Sequence, residues 1–83
     1  MLKLELLSRG IDENHIITRK YSNEDYDISF NSKKMYEELK SLIIDNKKYY
    51  FLLDELQEIN GWEKVINTLL ENYNTDIYVT GSN

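Results

Sequence analysis

The chain is short and acidic: it has 83 residues, a net charge of -5, 41% hydrophobic residues and 30% charged residues. This balance is typical of a globular protein and argues against a disordered one. An acidic surface repels phosphate backbones, so we expect no binding to nucleic acid. No apolar run approaches the roughly 20 residues that a membrane span needs. The sequence has no cysteine, which excludes disulfides and thiolate metal sites and is compatible with the cytoplasmic location that we expect.

The first third of the chain predicts a helix, a strand and a loop. Leucines recur at spacings of three and four between Leu2 and Arg9, which is typical of a helix, and Gly10 can close that helix in the left-handed conformation. The β-branched run His15–Thr18 predicts a strand. Residues 21–32 are polar and predict a loop.

The rest of the chain predicts two further helix–strand pairs. A helix is expected from about Ser32, a residue that favours the N-cap position, and a second one carries an apolar stripe that begins at Trp62. The runs Tyr49–Leu53 and Ile77–Thr80 predict strands. The first of these runs does not alternate in polarity, so we expect it to be covered on both faces.

The order helix, strand, helix, strand, helix, strand predicts an α/β fold: a three-stranded parallel sheet with flanking helices, formed by residues 1–83 as one unit. Open parallel sheets bind their ligands beyond the carboxyl ends of the strands. The residues at those ends are therefore the candidates for a functional site.

Two strand ends carry polar residues that suit nucleotide chemistry. Asp54 and Glu55 follow the central apolar run, and Thr80, Ser82 and Asn83 lie at the end of the last one. A carboxylate can hold Mg²⁺ directly or through water, and a second carboxylate can orient and deprotonate an attacking water. Charged residues are also common in loops, so taken alone these residues are more typical of a solvated turn than of a site.

Together, the two segments resemble a known family. The stretch from Tyr50 to Val65, YFLLDELQEINGWEKV, and the stretch from Asp76 to Asn83, DIYVTGSN, are similar to AAA-type ATPases of the P-loop superfamily. The group in question comprises predicted bacterial and archaeal ATPases with a C-terminal domain of unknown function. The resemblance is strong over residues 45–83 and looser before them. It implies that the fold is a partial P-loop NTPase core.

The resemblance also implies site residues and cofactors. Asp54 would be the Walker B aspartate that supports magnesium, and Glu55 the catalytic glutamate that polarises water. Ser82 or Asn83 would be the sensor residue that contacts the terminal phosphate or that water. Mg²⁺ and ATP would be the cofactors of the parent family.

One motif of the family is missing. The phosphate-binding Walker A loop requires Gly-x-x-x-x-Gly-Lys followed by Ser or Thr, and the sequence contains no Gly-Lys pair. The chain thus resembles the middle of an ATPase core, and we expect it to bind no nucleotide tightly and to be inactive alone. Two alternatives stay open: a free-standing α/β module that binds a protein partner, and a metal-dependent hydrolase site without a P-loop, which would need further carboxylates.

The missing segment also predicts self-association. In the family, the strand that corresponds to Ile77–Thr80 is central and pairs with the phosphate-loop strand, which this sequence lacks. An apolar strand would then form an unpaired edge, with no Pro or Lys to block pairing with another chain. We expect a two-fold dimer that pairs these edges antiparallel or exchanges elements between chains.

Overall fold

A computed structural model describes residues 2–21 and 31–80 of the chain. The helices are α1 (Leu2–Ser8), α2 (Ser32–Ser41) and α3 (Trp62–Asn72), and the strands are β1 (Ile16–Lys20), β2 (Tyr49–Asp54) and β3 (Thr75–Thr80). The three strands form one parallel sheet in the order β1-β2-β3. The predicted α/β fold with a three-stranded parallel sheet is therefore confirmed.

The register brings the carboxyl ends of the strands together. Lys20 of β1 lies opposite Asp54 of β2, and Asp54 lies opposite Thr80 of β3. In a parallel sheet, residues in register point their side chains to the same face. The three side chains therefore emerge from the same rim of the sheet, on the same face.

The main core lies between one face of the sheet and the helices α2 and α3. Phe51 of β2, Met35 and Leu39 of α2, and Leu69 of α3 are each fully buried there. Each helix turns its apolar stripe to the sheet, as the spacings of three and four in the sequence predicted. This layer fixes β2 as the rigid centre of the molecule.

The second face of the sheet is less completely covered. Leu6 of α1 and Ile16 of β1 are buried, whereas burial along β2 alternates between buried and half-buried residues. The prediction that β2 is covered on both faces is thus wrong for the second face, where Tyr50 and Leu52 are only half-buried. A continuous apolar run cannot by itself distinguish a fully covered strand from a strand with one partly open face.

The helix boundaries are explained by local capping. Gly10 has a φ of 85°, and the N–H groups of Gly10 and Ile11 donate to the carbonyls of Leu7 and Leu6, so α1 ends in the predicted glycine cap. The N-cap of α2 is Asn31, whose side chain accepts from the Lys34 N–H. Ser32 was predicted to be the N-cap, and this prediction is wrong by one residue. The side chain of the preceding asparagine supplies the capping oxygen, and Ser32 is the first residue of the helix.

Two strands differ from their predicted limits. β1 runs on through Arg19 and Lys20, and His15 belongs instead to a short 3-10 turn, Glu13–His15. β3 begins two residues before Ile77. Most of the predicted loop at 21–32 lies outside the described residues, and Tyr21, which was assigned to it, is buried in the core. Within the described ranges, no helix has the length and apolar character needed to cross a membrane.

Candidate functional site

The candidate site lies where the central strand ends. Asp54 is the last residue of β2, and Glu55 follows it directly. β2 is flanked by both other strands, so its end is the most firmly held point on this rim. The structure thus places the two predicted acidic residues consecutively at the carboxyl edge of the sheet.

Asp54 is held by both neighbouring segments. One of its carboxylate oxygens accepts a hydrogen bond of 2.9 Å from the Thr80 hydroxyl. Its backbone carbonyl accepts a bond of 2.9 Å from the Tyr21 N–H. The side chain is half-buried, so the carboxylate is oriented by the neighbouring strand while remaining accessible from the rim.

Glu55 has an unusual backbone conformation. Its φ is 59° and its ψ is 39°, and it is the one non-glycine residue with positive φ among those the structure describes. The left-handed conformation costs an L-residue about 1–2 kcal/mol. Such strain persists only where the surrounding structure enforces it, and it is concentrated at functional sites.

The surroundings of Glu55 show how this conformation is maintained. The Glu55 N–H donates to the Thr80 carbonyl over 3.0 Å, and the Glu55 carbonyl accepts from Glu58 over 3.2 Å. The chain then enters a 3-10 turn, Leu56–Glu58, and the Leu56 side chain is fully buried. The ladder bond on one side and the buried leucine on the other fix the turn.

The Glu55 side chain lies beside a cation. Its Oε1 is 3.9 Å from the Lys20 Nζ, and the side chain of Glu55 is only 19% exposed whereas that of Lys20 is 60% exposed. The distance is that of an ion pair rather than of a short hydrogen bond. The carboxylate is thus held near the rim by a lysine that reaches in from solvent.

A cavity opens next to Asp54 on the second face of the sheet. Its volume is about 540 Å³, within the range of ligand-binding clefts. It is lined by the start of α1 and by the ends of the three strands: Leu2, Lys3, Thr18, Arg19, Lys20, Leu52, Leu53, Asp54, Tyr78 and Thr80. The exposed surface of this lining is mostly apolar, and Lys20, Asp54 and Thr80 lie side by side where the three strands end.

The residues at this rim fit a magnesium site with one protein carboxylate. Mg²⁺ prefers hard oxygen ligands and keeps several of its waters, so one or two carboxylates together with substrate phosphates suffice. Asp54, with the Thr80 hydroxyl beside it, offers that kind of oxygen set. Across residues 2–21 and 31–80 there is no group of three or more His, Cys, Asp or Glu side chains that could hold a metal ion, so these residues give no support to the alternative of a site built from carboxylates alone.

Other predicted residues are placed as follows. Ser82 and Asn83 lie outside the described residues. Trp62, the first residue of the predicted apolar stripe, has a half-buried side chain that packs against the core. Lys20 had no predicted role, although the pairing of parallel strands brings this last residue of β1 to the same rim.

The fold and the site define the class of protein. The parallel sheet, in which α2 and α3 connect successive strands, is an α/β fold consistent with a partial P-loop NTPase core. An acidic pair lies at the end of its central strand. Residues 2–83 match the sequence model of a family described as AAA domain. The chain therefore belongs to the AAA domain family of P-loop ATPases, as its resemblance predicted.

A further comparison gives a relative without an assigned role. An uncharacterized protein of Haemophilus influenzae is 54% identical to this chain over 37 residues. The matched segment covers 45% of this chain and 9% of the relative, so the relative is a much longer protein. No solved structure matches the chain significantly.

Proposed function

We propose that this chain forms the magnesium- and water-handling half of the nucleotide site of an AAA-type ATPase. The observation that carries the proposal is the pair Asp54–Glu55 at the carboxyl end of the central strand, with Asp54 bonded to Thr80 of the neighbouring strand at 2.9 Å. Membership of the AAA domain family supports the use of ATP and Mg²⁺ by the parent protein.

In this proposal, Asp54 supports the magnesium ion. A bound Mg²⁺ neutralises charge on the phosphates of the nucleotide. The Thr80 hydroxyl donates to one carboxylate oxygen of Asp54 and so sets the orientation of the group. The ordered carboxylate then contributes its oxygen at a fixed point on the rim.

Glu55 has a separate role, which is to orient the attacking water. A general base needs to be within hydrogen-bond reach of the proton that it accepts. The left-handed backbone of Glu55 takes its side chain out of the strict alternation of β2, and its carboxylate lies 3.9 Å from Lys20, which is paired with Asp54 across the sheet. Ser82 or Asn83, just beyond β3, completes the proposed site as the sensor of the terminal phosphate.

Lys20 helps to position the Glu55 side chain before a substrate arrives, because its Nζ lies 3.9 Å from the Glu55 Oε1. Because Lys20 is 60% exposed, it can exchange this contact for a contact with phosphate when a polyanion enters.

The chain alone is expected to show no ATP turnover. Backbone N–H groups and the lysine of a phosphate-binding loop supply most of the grip on a triphosphate, and the 83-residue sequence contains no such loop. Without it, Asp54 and Glu55 bring negative charge towards a polyanion. A phosphate-release assay with the wild-type chain, Mg²⁺ and ATP should therefore give the same rate as buffer.

The matched control for this assay is Glu55→Gln, which removes the charge but keeps the shape of the side chain. We expect both proteins to be inactive, and isothermal calorimetry to detect no tight binding of Mg-ATP by either. Steady hydrolysis by the wild-type chain that disappears in Glu55→Gln would contradict this expectation, since the chain would then hold the nucleotide without a phosphate loop.

A further inference from the structure

A groove runs between α2 and α3 on the outer surface of the helical layer. Its volume is about 350 Å³, at the lower end of the range for ligand-binding clefts. It is lined by residues of α2, by the N-cap of α3 and by residues of α3: Ser32, Lys33, Tyr36, Gly61, Lys64, Val65 and Thr68. The two helices pack on the sheet through their buried sides, so this α2–α3 groove opens away from the sheet.

The groove is formed by two helices in close contact. Gly61 has a φ of 86°, and a Cβ atom at this position would lie 3.3 Å from the Ser32 Oγ. The starts of α2 and α3 are therefore held against each other, and both walls of the groove belong to regular secondary structure. A ligand would meet a preformed surface.

The charge of the groove is opposite in sign to that of the chain. The chain has a net charge of -5, yet the charged side chains that line the groove, Lys33 and Lys64, are both basic and both exposed. Within residues 2–21 and 31–80, neither lysine forms an ion pair. Two such cations at one concave surface attract an anionic ligand.

The groove also has an apolar part. Val65 is buried at 6% exposure, and Tyr36 is half-buried and packs against the core. Tyr36 shares a side-chain hydrogen bond with Tyr73, and the Lys40 Nζ lies 5.9 Å from the centroid of its ring. The ring is thus held in place by contacts from both helices. A ligand that fills the groove must offer an apolar group as well as negative charge.

We propose that the α2–α3 groove binds an acidic segment of a partner protein. The carboxylates of this segment contact Lys33 and Lys64, and an apolar side chain between them packs on Tyr36 and Val65. The inference does not depend on the proposed nucleotide chemistry, because it rests on the helical layer alone.

A short peptide fits this surface better than a nucleic acid. A nucleic acid carries a continuous row of phosphates beyond the groove, where the net charge of -5 repels it. A short acidic peptide confines its charge to the groove, and salt screens its repulsion from carboxylates more than about 10 Å away. The apolar part of the groove contributes only to a ligand that has an apolar side chain.

The length of the peptide follows from the length of the helices. α2 has 10 residues and is therefore about 15 Å long, a distance that about five extended residues span. A suitable probe is a fluorescein-labelled peptide with the core Glu-Glu-Leu-Glu-Glu. Its neutral counterpart, Gln-Gln-Leu-Gln-Gln, has the same size and lacks the charge.

Fluorescence anisotropy with the full chain tests the binding. The wild type should bind the acidic probe saturably, with a Kd below about 1 mM, and should not bind the neutral probe. Lys33→Gln and Lys64→Gln should each weaken binding by about two- to fivefold, as for the loss of one exposed ion pair. Lys47→Gln is the matched control, because Lys47 is exposed in the connection between α2 and β2, beyond the far end of the groove. It changes the net charge equally and should leave binding unchanged.

Two further measurements test the position and the apolar contact. In amide NMR spectra, the acidic probe should shift the signals of the groove residues Ser32, Tyr36 and Thr68, and should leave the signal of Thr18 in β1 unchanged. Replacing the leucine of the probe by serine should weaken binding at least threefold, because less apolar surface is buried.

Three results would overturn the proposal. A wild-type chain that does not bind the acidic probe has no such site. If Lys47→Gln weakens binding as much as Lys64→Gln, the attraction is not localised at the groove. If labelled oligothymidylate binds more tightly than the peptide, the surface recognises nucleic acid instead. Circular dichroism verifies that each variant is folded. No nucleotide is used in these assays, so a negative result leaves the proposed ATPase site untouched.

Discussion

The left-handed conformation of Glu55 predicts an unusual order of stabilities among its variants. Glu55→Gly and Glu55→Ala both remove the carboxylate and its contact with Lys20, so they differ mainly in backbone preference. The φ of 59° costs alanine about 1–2 kcal/mol and glycine almost nothing. Glycine loses about 0.5–1 kcal/mol more conformational entropy on folding. Glu55→Gly should therefore be more stable than Glu55→Ala by about 0.5–1 kcal/mol.

Thermal unfolding followed by circular dichroism can resolve this difference. For a chain of 83 residues, the entropy of unfolding is about 0.17 kcal/mol per kelvin, so the glycine variant should melt about 3–6 °C above the alanine variant. Asp54 provides the matched control, because it lies in β2, where glycine is the less stable residue by about 0.5–1 kcal/mol. If Glu55→Gly melts below Glu55→Ala, as expected for the Asp54 pair, the strained turn at Glu55 is refuted.

Two further predictions concern the stability of the fold. Trp62→Ala should lower the free energy of unfolding, measured in urea, by about 2–3 kcal/mol. This is less than for a fully buried indole, because Trp62 is half-buried against the core. An effect no larger than that of the exposed-site variant Asn67→Ala would show that the indole contributes little to packing. Hydrogen bonds from His15 and from the Lys47 N–H hold the pKa of Asp45 below its usual value of 3.8. A carboxyl group with a lowered pKa stabilises the fold when the pH is above its usual pKa, and this stabilisation is lost as the pH falls through the lowered pKa. The melting temperature of the wild type should thus exceed that of Asp45→Asn near neutral pH and converge with it below about pH 4, and a difference that is constant from pH 7 to pH 3 would contradict this.

The parallel direction of the strands could be predicted because each apolar run is separated from the next by a helical stripe. Their limits could not. Arg19 and Lys20 extend β1, and Thr75 and Asp76 begin β3, although polar side chains at these positions gave no sign of a strand. Their place in the sheet depends on pairing with β2, which is a tertiary effect that overrides local preference.

The candidate site was predictable only in part, for a similar reason. Adjacency in the sequence and the parallel topology were enough to place Asp54 and Glu55 on the rim. The left-handed turn at Glu55 and its contact with Lys20 were not predictable, because they arise from the ladder bond to Thr80 and from the register of β1 against β2. Lys20, which comes from a distant segment, can be recognised as a site residue only when the register of β1 against β2 is known.

The proposed function assigns magnesium and water handling in an ATPase site to Asp54 and Glu55. The most direct test is to graft the first strand and phosphate-binding loop of an AAA domain upstream of Leu2. The graft supplies the backbone N–H groups and the lysine that bind the phosphates. The grafted protein should bind Mg-ATP and release phosphate. Glu55→Gln should keep binding but lower turnover by about 100-fold or more, while Glu58→Gln, at an exposed carboxylate three residues later, should leave turnover unchanged. Equal turnover in the grafted protein and in its Glu55→Gln variant would contradict the claim.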